Sequence, residues 1–468
     1  MENIREIVLD TLLALEREEQ YSNQLLKAVL DKYDYLELRD KSFIKRVTEG
    51  TVERQPELDY YLNHYSSVPV KKMKPLIRCL LRMSVYQLLY MDTVPDSAVC
   101  NEACKLAVKR KFGNLRGFVN GVLRNVSRNK DNLPLPDERT EPGARLSVEY
   151  SMPEWLVERW LDEYGREITV TLLKGLLEIH PVSLRFRTDL SEEERKALCR
   201  RMEEKGAVLH QSVYLPYLYT LEYGGNLTEL PGFEEGQWIV QDVSSALAVE
   251  AAKITEGDFV LDACAAPGGK SLLAAEKAGK VLSRDVSEQK VDLIRENAAR
   301  MRTENIEMQV WDATQPDKAY MGKADVVLLD VPCSGLGILG KKRDIKYHVN
   351  PERLESLKRL QREIVQSCAG YVRPGGTLLY STCTIDRDEN EEMVRFLAEE
   401  LGFLPDSLEG RLPESLMEKK KEVAAIRKAA GKENVGLIDA EEKACIQLLP
   451  GYMEADGFFI ARFVRPEE

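Results

Sequence analysis

Residues 259–271 read FVLDACAAPGGKS, an apolar strand that ends in an acid and leads into a glycine turn and the start of a helix. In a parallel α/β sheet, ligands lie across the carboxyl ends of the strands, where glycines let the backbone come close. The spacing G-x-x-x-x-G-K-[ST] of a phosphate loop is not met, because Cys264 lies five positions before Gly269. The stretch therefore predicts a ligand-binding turn that does not cradle a phosphate.

The residues around this stretch alternate between strand and helix patterns. Short apolar runs, such as ADVVLLD at 324–330 and GTLLYST at 376–382, alternate with segments whose apolar residues recur every three or four positions. Strands and helices in this order favour an open parallel sheet with helices on both faces. Residues 236–468 are therefore predicted to form an α/β, Rossmann-like, doubly wound domain.

The first half of the chain has a different pattern. Residues 1–130 carry helical apolar repeats throughout, as in KPLIRCLLRMSVYQLLYM, which predicts an all-α bundle. Residues 131–147 are rich in proline and charge without apolar periodicity and are predicted to be a linker. Residues 148–235 mix helical and extended patterns and are predicted to form a small α+β module. The chain is thus expected to be a multidomain protein.

Composition places the chain among globular proteins. Its residues are 44% hydrophobic and 31% charged, and no uncharged run reaches the roughly 20 residues of a membrane span. The nine cysteines are odd in number and scattered, which argues against a disulfide framework, and the four histidines are not clustered as metal ligands would be. We expect a cytoplasmic monomer with reduced thiols and with neither a metal nor a membrane partner.

Positive charge is concentrated in one part of an acidic chain. The net charge is −12, yet residues 71–130 contain thirteen Lys and Arg against three Asp and Glu. A block of this kind is commonly a solvated face. In a chain that is otherwise acidic it is also the surface on which a nucleic-acid backbone would dock most easily.

Acids stand at the ends of successive predicted strands. Asp285, Asp312 and Asp330 follow apolar runs, and an acid at the second strand commonly binds ribose hydroxyls. Together with the glycine turn they predict a site for an adenosine-bearing cofactor, either a nicotinamide dinucleotide or S-adenosylmethionine. The turn lacks G-x-G-x-x-G, and Pro267 removes an N–H donor, so the pattern favours S-adenosylmethionine.

Two cysteines follow two of these strands. Cys333 comes three residues after Asp330, and Cys383 follows the strand GTLLYST directly. Either one alone is more often a small core residue. At one edge of a sheet beside a methyl donor, however, a thiol has a chemical use, because a thiolate that adds to carbon 6 of cytosine makes carbon 5 nucleophilic. The pair therefore predicts cytosine-C5 methylation.

The same residues resemble the RNA cytosine-C5 methyltransferases of the Sun or RsmB type. LDACAAPGGKS is similar to the cofactor motif of that family, DVPCSG to its Pro-Cys motif and YSTCTIDRDENE to its Thr-Cys nucleophile motif. The resemblance implies that Cys383 is the nucleophile, Cys333 assists release of the product and Asp330 helps to activate the base. It also implies that S-adenosylmethionine is bound by Cys264, Ala265, Ala266, Pro267, Gly268, Gly269, Lys270, Asp285, Asp312 and Asp330.

The N-terminal bundle carries a second resemblance. Residues 76–128, from LIRCLLRM to GVLRNVSR, are similar to the NusB-type RNA-binding domain found in the small-subunit enzymes of that family. This implies 16S ribosomal RNA as the partner and substrate. Two alternatives remain at this point: the same chemistry on transfer RNA or large-subunit RNA, or a catalytically silent NusB-like adaptor that only binds RNA.

Overall fold

The computed structural model describes residues 3–17, 22–178, 181–432 and 437–467. The chain divides into two compact units. The first contains residues 1–162 together with 341–348, and the second contains 163–340 together with 349–468. A segment from late in the sequence therefore folds with the N-terminal helices.

The first unit is a helical bundle, which confirms the all-α prediction for this part of the chain. Apolar faces repeat every three or four residues, and side chains such as Leu80, Leu81 and Leu123 are fully buried between helices. No helix among the described residues is long and apolar enough to cross a membrane. The helices are Ile4–Arg17, Ser22–Lys32, Leu38–Glu53, Gln55–Tyr65, Pro75–Tyr90, Asp96–Lys109, Arg116–Asn129, Pro142–Glu149 and, from the late segment, Ile345–His348.

Hydrogen bonds to backbone carbonyls hold the late segment in this unit. Lys346 donates from Nζ to the carbonyl oxygens of Glu53 and Ser151, each at 2.6 Å. The hydroxyl of Tyr347 donates to the carbonyl oxygen of Val52, also at 2.6 Å. The segment thus supplies partners for carbonyls at the C-terminal end of the helix Leu38–Glu53, where the intrahelical ladder stops.

One long helix is interrupted at a glycine. The helix Glu154–Leu177 contains Gly165 with φ 77° and ψ 170°, a conformation that a side chain disfavours. Residues on either side of Gly165 are helical, so the element consists of two helices joined at this break. The two compact units also divide close to this point, between Asp162 and Glu163.

A four-stranded antiparallel sheet begins the second unit. Its strands are β1 (Val182–Phe186), β2 (Val208–Gln211), β3 (Leu218–Glu222) and β4 (Trp238–Val240), in the spatial order β2-β3-β1-β4. The helix Glu192–Glu203 starts at Ser191, whose side chain accepts a hydrogen bond from the Glu194 amide in a capping box. Strand β4 lies just after the predicted boundary at 235.

The larger sheet carries the predicted α/β pattern. Its spatial order is β10-β12-β9-β8-β5-β6-β7, and β11 pairs with β12. The strands are β5 (Phe259–Asp262), β6 (Lys280–Asp285), β7 (Ile306–Val310), β8 (Ala324–Asp330), β9 (Val372–Thr382), β10 (Leu404–Pro405), β11 (Cys445–Leu448) and β12 (Phe458–Val464). The helices are Val243–Ala252, Gly269–Ala275, Glu288–Arg300, Pro351–Ala369, Glu391–Arg395, Glu414–Ala429 and Asp439–Ala444.

The sheet is mixed, although the sequence predicts a parallel one. Strands β5 to β9 pair in parallel, as predicted, whereas β12 runs antiparallel to β9 and to its other neighbours β10 and β11. A strand that is buried on both faces is an apolar run in either direction. The pattern GFFIARFV therefore predicts that a strand exists and carries no information about its direction.

Candidate active site

Two cysteines lie side by side where neighbouring strands end. Strands β8 and β9 are parallel, and Asp330 pairs with Ser381. Cys333 lies three residues after Asp330, and Cys383 lies two residues after Ser381, so this register brings both thiols to one edge of the sheet. Their sulfur atoms are 3.3 Å apart. The sequence predicts this proximity from the positions of the two strands.

The two thiols have different surroundings. The pKa of Cys333 is raised well above the ordinary thiol value by its hydrogen bond with Cys383, by burial and by the negative charge of Glu389. At neutral pH Cys333 therefore keeps its proton and is the natural donor in the pair. Cys383 lies within the electrostatic reach of the charge on Lys270.

An ion pair lies beside the thiols. Asp330 accepts a hydrogen bond from Lys270 Nζ at 2.8 Å and a second from Ser381 Oγ at 2.7 Å. Lys270 also donates to Ser245 Oγ at 2.8 Å. Burial alone would lower the pKa of Lys270, but the carboxylate of Asp330 outweighs burial and raises it. The lysine is therefore an ammonium ion, and the acid and the lysine form a charged, hydrogen-bonded pair.

The glycine turn that follows β5 is tightly folded. Gly268 has φ 104°, and a Cβ there would lie 3.2 Å from the side chain of Ile294. The Gly268 amide donates to the carbonyl of Ala265 at 2.7 Å, and the peptide bond before Pro267 is cis. Since the helix Gly269–Ala275 begins directly afterwards, the turn brings Lys270 beneath the ends of the central strands.

A cavity of about 150 Å³ opens against this turn. Part of its wall is Cys264, whose thiol pKa burial raises well above its ordinary value, so the residue acts as an apolar surface. Of the residues predicted to bind the cofactor, the cavity is lined by Cys264, Ala265, Ala266, Pro267, Gly269, Lys270 and Asp330, joined by Val240, Gln241, Asp242 and Ser245.

The two other predicted acids lie outside the cavity lining. Asp285 accepts from the Ala266 amide at 3.0 Å and from the Val286 amide at 2.8 Å, so its carboxylate braces the glycine turn. Asp312 is exposed, and its carboxylate accepts from the amide of Thr314 at 2.9 Å. Both acids lie at strand ends, as predicted, but their carboxylate oxygens accept hydrogen bonds from nearby backbone amides.

Two family models match the chain. The model described as 16S rRNA methyltransferase RsmB/F matches residues 249–464, and the NusB family model matches residues 2–128. The probable ribosomal RNA small subunit methyltransferase B of Bacillus subtilis is 35% identical over 470 residues, which cover 98% of each chain. The chain belongs to the RsmB/F methyltransferase family. The Cronobacter sakazakii ribosomal RNA small subunit methyltransferase B is 30% identical over 91% of each chain.

Solved structures share the fold of this RsmB/F family member. The crystal structure of PH0851 superposes with a TM-score of 0.75 at 23% identity and covers 99% of both chains. The structure of NSun6 from Pyrococcus horikoshii with SFG has a TM-score of 0.53 at 22% identity and covers 68% of this chain. At these identities the likeness establishes the fold alone.

Sequence reasoning missed several residues around the thiols of this RsmB/F protein. Ser381 lies inside the quoted motif YSTC, yet only the strand register shows that it meets Asp330. Ser245 lies 25 residues before Lys270 in a plain apolar helix and carries no signal that singles it out. Glu389 belongs to the acidic run after Cys383, which looks like solvated surface in the sequence, but its side chain is fully buried.

The basic block in the NusB-like unit is partly neutralised. Lys109 pairs with Glu6, with Nζ and Oε2 2.5 Å apart, and Arg110 pairs with Asp10 at 2.6 Å. Lys111 is exposed, and no ion pair of Lys111 is present among the described residues. Acids from the first helix thus compensate two of three adjacent cations, a pairing that the local charge count does not predict.

Proposed function

We propose that this protein methylates carbon 5 of a cytosine in 16S ribosomal RNA, with S-adenosylmethionine as the methyl donor and a covalent bond between Cys383 and carbon 6 of the base. The observation that carries the proposal is the pair of thiols 3.3 Å apart beside the Lys270–Asp330 ion pair. Small-subunit RNA as the substrate is supported by the names of the relatives and by the NusB-like unit.

The reaction needs a nucleophile that attacks carbon 6 and a group that stabilises the electron density arriving at ring N3. The thiolate of Cys383 forms a bond to carbon 6, and the π electrons of the C5–C6 double bond shift toward carbon 5, which becomes nucleophilic. We assign Asp330 to ring N3, where a proton passed from the Lys270 ammonium group through Asp330 to N3 neutralises the added electron density. Ser381 holds the other oxygen of Asp330 in place.

The second thiol acts on release. After carbon 5 has gained its methyl group, a base takes the carbon 5 proton, the electron pair of that C–H bond restores the double bond, and the sulfur of Cys383 leaves as a thiolate. Cys333 lies in contact with that sulfur and keeps its own proton at neutral pH, so it can stabilise the departing thiolate by donating a hydrogen bond to it. Both thiols must be reduced, which fits a cytoplasmic protein.

The residues at the turn fit one end of S-adenosylmethionine, which supplies a methyl group bound to a cationic sulfur. The cavity of about 150 Å³ is smaller than the roughly 300 Å³ of a whole small-molecule site, so it takes only a part of the cofactor, beside Lys270 and Asp330. A Cβ at Gly269 would lie in van der Waals contact with Gln241, at 3.4 Å, and would take up part of that space. Asp285 and Asp312 are the groups that we assign to the ribose and adenine end.

The test uses small-subunit ribosomal RNA that contains 5-fluorocytosine. Fluorine replaces the carbon 5 proton, so a base has no proton to remove and the covalent adduct persists. We expect a covalent protein–RNA complex on denaturing gels with the unmodified protein and none with Cys383→Ala. Cys333→Ala should instead accumulate the complex on ordinary RNA, since only release is impaired.

The control is Cys199→Ala, which removes a thiol from the small α+β module and should leave adduct formation unchanged. An adduct that persists in Cys383→Ala would overturn the assignment of the nucleophile. Methylation of transfer RNA or large-subunit RNA in preference to 16S RNA would be consistent with the proposed mechanism but would contradict 16S RNA as the substrate. Complete absence of methylation with every RNA would favour a silent RNA-binding adaptor.

A further inference from the structure

A buried carboxylate lies behind the two thiol-bearing loops. Glu389 is fully buried at the end of a short 3₁₀ turn, Arg387–Glu389, and its charge is one of the causes of the raised pKa of Cys333. Burial raises its pKa to about 7, so at pH 8 the group is mainly ionised. A carboxylate without water is costly unless donors surround it. The hydrogen-bond donors around Glu389 therefore show how its buried carboxylate is stabilised.

The donors come from the Cys333 loop and the helix beside it. Oε1 of Glu389 accepts from the amide of Ser334 and from Nε2 of Gln361, both at 2.8 Å. Oε2 accepts from the hydroxyl of Ser334. Gln361 Nε2 also donates to the carbonyl of Pro332 at 2.9 Å. Glu389 and Gln361 thus hold the residues directly before and after Cys333.

The same group reaches the Cys383 loop through one hydroxyl. Ser334 Oγ lies 2.7 Å from Oγ1 of Thr384, the residue after Cys383. Because a carboxylate only accepts, Ser334 gives its proton to Glu389, and Thr384 must then donate to Ser334. The hydroxyl of Tyr380 on strand β9 also donates to the carbonyl of Glu389, at 2.7 Å. A directed chain of hydrogen bonds thus runs from the Cys383 loop to Glu389.

We propose that Glu389 is a positioning residue that fixes the separation of the Cys333 and Cys383 sulfurs, so that both reach the same pyrimidine ring. The catalytic role of Glu389 rests on the proposed function. The hydrogen bonds that hold the two loops are independent of that function. Without this carboxylate the two loops keep the β8–β9 pairing, the contact between the Ser334 and Thr384 hydroxyls and backbone bonds such as that from the Gly337 amide to the Cys383 carbonyl, at 3.0 Å, but lose the acceptor that fixes Ser334.

Two substitutions at Glu389 distinguish loss of its charge from loss of its hydrogen bonds. In Glu389→Gln the amide oxygen can accept from Ser334 N and Gln361, and its NH₂ can donate to Ser334 Oγ, which then turns its proton toward Thr384. Every partner stays bonded, and only the charge is lost. In Glu389→Ala, the Ser334 amide, the Ser334 hydroxyl and Gln361 lose the acceptor that they share, so the two loops are held less firmly.

The first experiment measures the distance between the thiols at pH 8 without RNA or cofactor. Diamide takes two electrons and two protons from a pair of adjacent thiols, which become a disulfide while diamide becomes the hydrazine. We expect mass spectrometry to show a Cys333–Cys383 disulfide that forms as fast in Glu389→Gln as in the unmodified protein, or faster. It should form at least about tenfold more slowly in Glu389→Ala, because reaction rates fall steeply with misplacement of the reacting atoms.

Two additions keep this test decisive. Circular dichroism tests whether Glu389→Ala is folded. If it is not, Thr384→Val replaces it and should also slow the disulfide, since at similar side-chain volume it removes the hydroxyl that links the loops and that also accepts from the Asp386 amide. Oxidation at an unchanged rate in a folded Glu389→Ala or in Thr384→Val would overturn the proposal.

The second experiment connects position to catalysis. In Glu389→Ala we expect kcat for methylation to fall at least about tenfold while KM for RNA and for S-adenosylmethionine stays unchanged, and Glu389→Gln should restore kcat. A loss carried by KM would mean that Glu389 supports binding instead, and would contradict the proposal. If the disulfide result stands while no variant, including the unmodified protein, methylates RNA, only the proposed function has failed.

Discussion

Two largely buried lysines, one in each unit, carry opposite pKa shifts. Lys270 in the α/β unit faces the carboxylate of Asp330, and the attraction raises its pKa in spite of burial. Lys346 in the helical unit is 3% exposed and donates to two backbone carbonyls. Burial lowers the pKa of Lys346 to about 7, against a smaller opposing effect of Glu53.

The difference lies in what each ammonium group faces. A carbonyl dipole does not offset the loss of water around a full charge, whereas a carboxylate in contact does. A shifted pKa alone therefore does not identify an active site, because structural networks shift pKa values as well. Lys270 is distinguished by its place at the strand ends beside Asp330 and near Cys383, and Lys346 by its place at the end of a helix.

In the comparison of Lys270 with Lys346, the largest expected effect is the loss of methylation activity when Lys270 is replaced. In Lys270→Met, Asp330 loses its cation and its source of protons, and we expect the methylation rate to fall by about 10² to 10³. Single-turnover methylation of small-subunit RNA measures it. Lys270→Arg keeps the charge and is the matched control, while Lys346→Met changes a lysine of similar burial in the helical unit. Equal losses in Lys270→Met and Lys346→Met, with both proteins folded, would break the comparison.

The next effect is on stability. The pKa of Lys346 is about 7 in the folded chain, against 10.5 for an ordinary lysine, so between these pH values the unfolded chain binds more protons. The free energy of unfolding of the unmodified protein should therefore rise with pH across this window, by up to a few kcal/mol at about 1.4 kcal/mol per pKa unit. Urea unfolding at pH 7, 8, 9 and 10 measures the slope.

In Lys346→Met that rise should be clearly smaller, because nothing at the position titrates, while Lys420, whose pKa burial also lowers, keeps its own contribution. A Lys270→Met protein should retain it, since the pKa of Lys270 is shifted in the other direction. If Lys346→Met showed the same slope as the unmodified protein, the rise would belong to other groups, and the account of Lys346 would be wrong.

The smallest effect concerns exposed cations, where water weakens every pairing. Lys109 is compensated by Glu6 and must give up that pair to contact a phosphate, whereas Lys111 is free of ion pairs among the described residues. We expect Lys111→Gln to weaken binding of small-subunit RNA more than Lys109→Gln does, by an extra factor of about three, within the range of a single exposed ion pair. Filter binding at 50 to 200 mM salt measures it. Equal losses would mean that the pairing is irrelevant to docking.

Much of the fold and part of the site follow from the sequence alone. Helical periodicity predicts the bundle and alternating patterns predict the α/β unit, because the exposure of each side chain is set by local geometry repeated along a helix or strand. The positions of Asp330, Cys333 and Cys383 at the ends of adjacent strands follow from the same reasoning, and so does the glycine turn before Lys270.

What only the tertiary structure decides is which distant residues meet. The register of β8 against β9 sets Ser381 against Asp330 and places the sulfurs in contact, and no local pattern encodes a register between strands some fifty residues apart. The antiparallel direction of β12, the burial of Glu389 in an acidic run and the packing of residues 341–348 among the N-terminal helices belong here too. Sequence periodicity reports on a residue's own element, whereas partners, and with them pKa values, depend on how the elements pack.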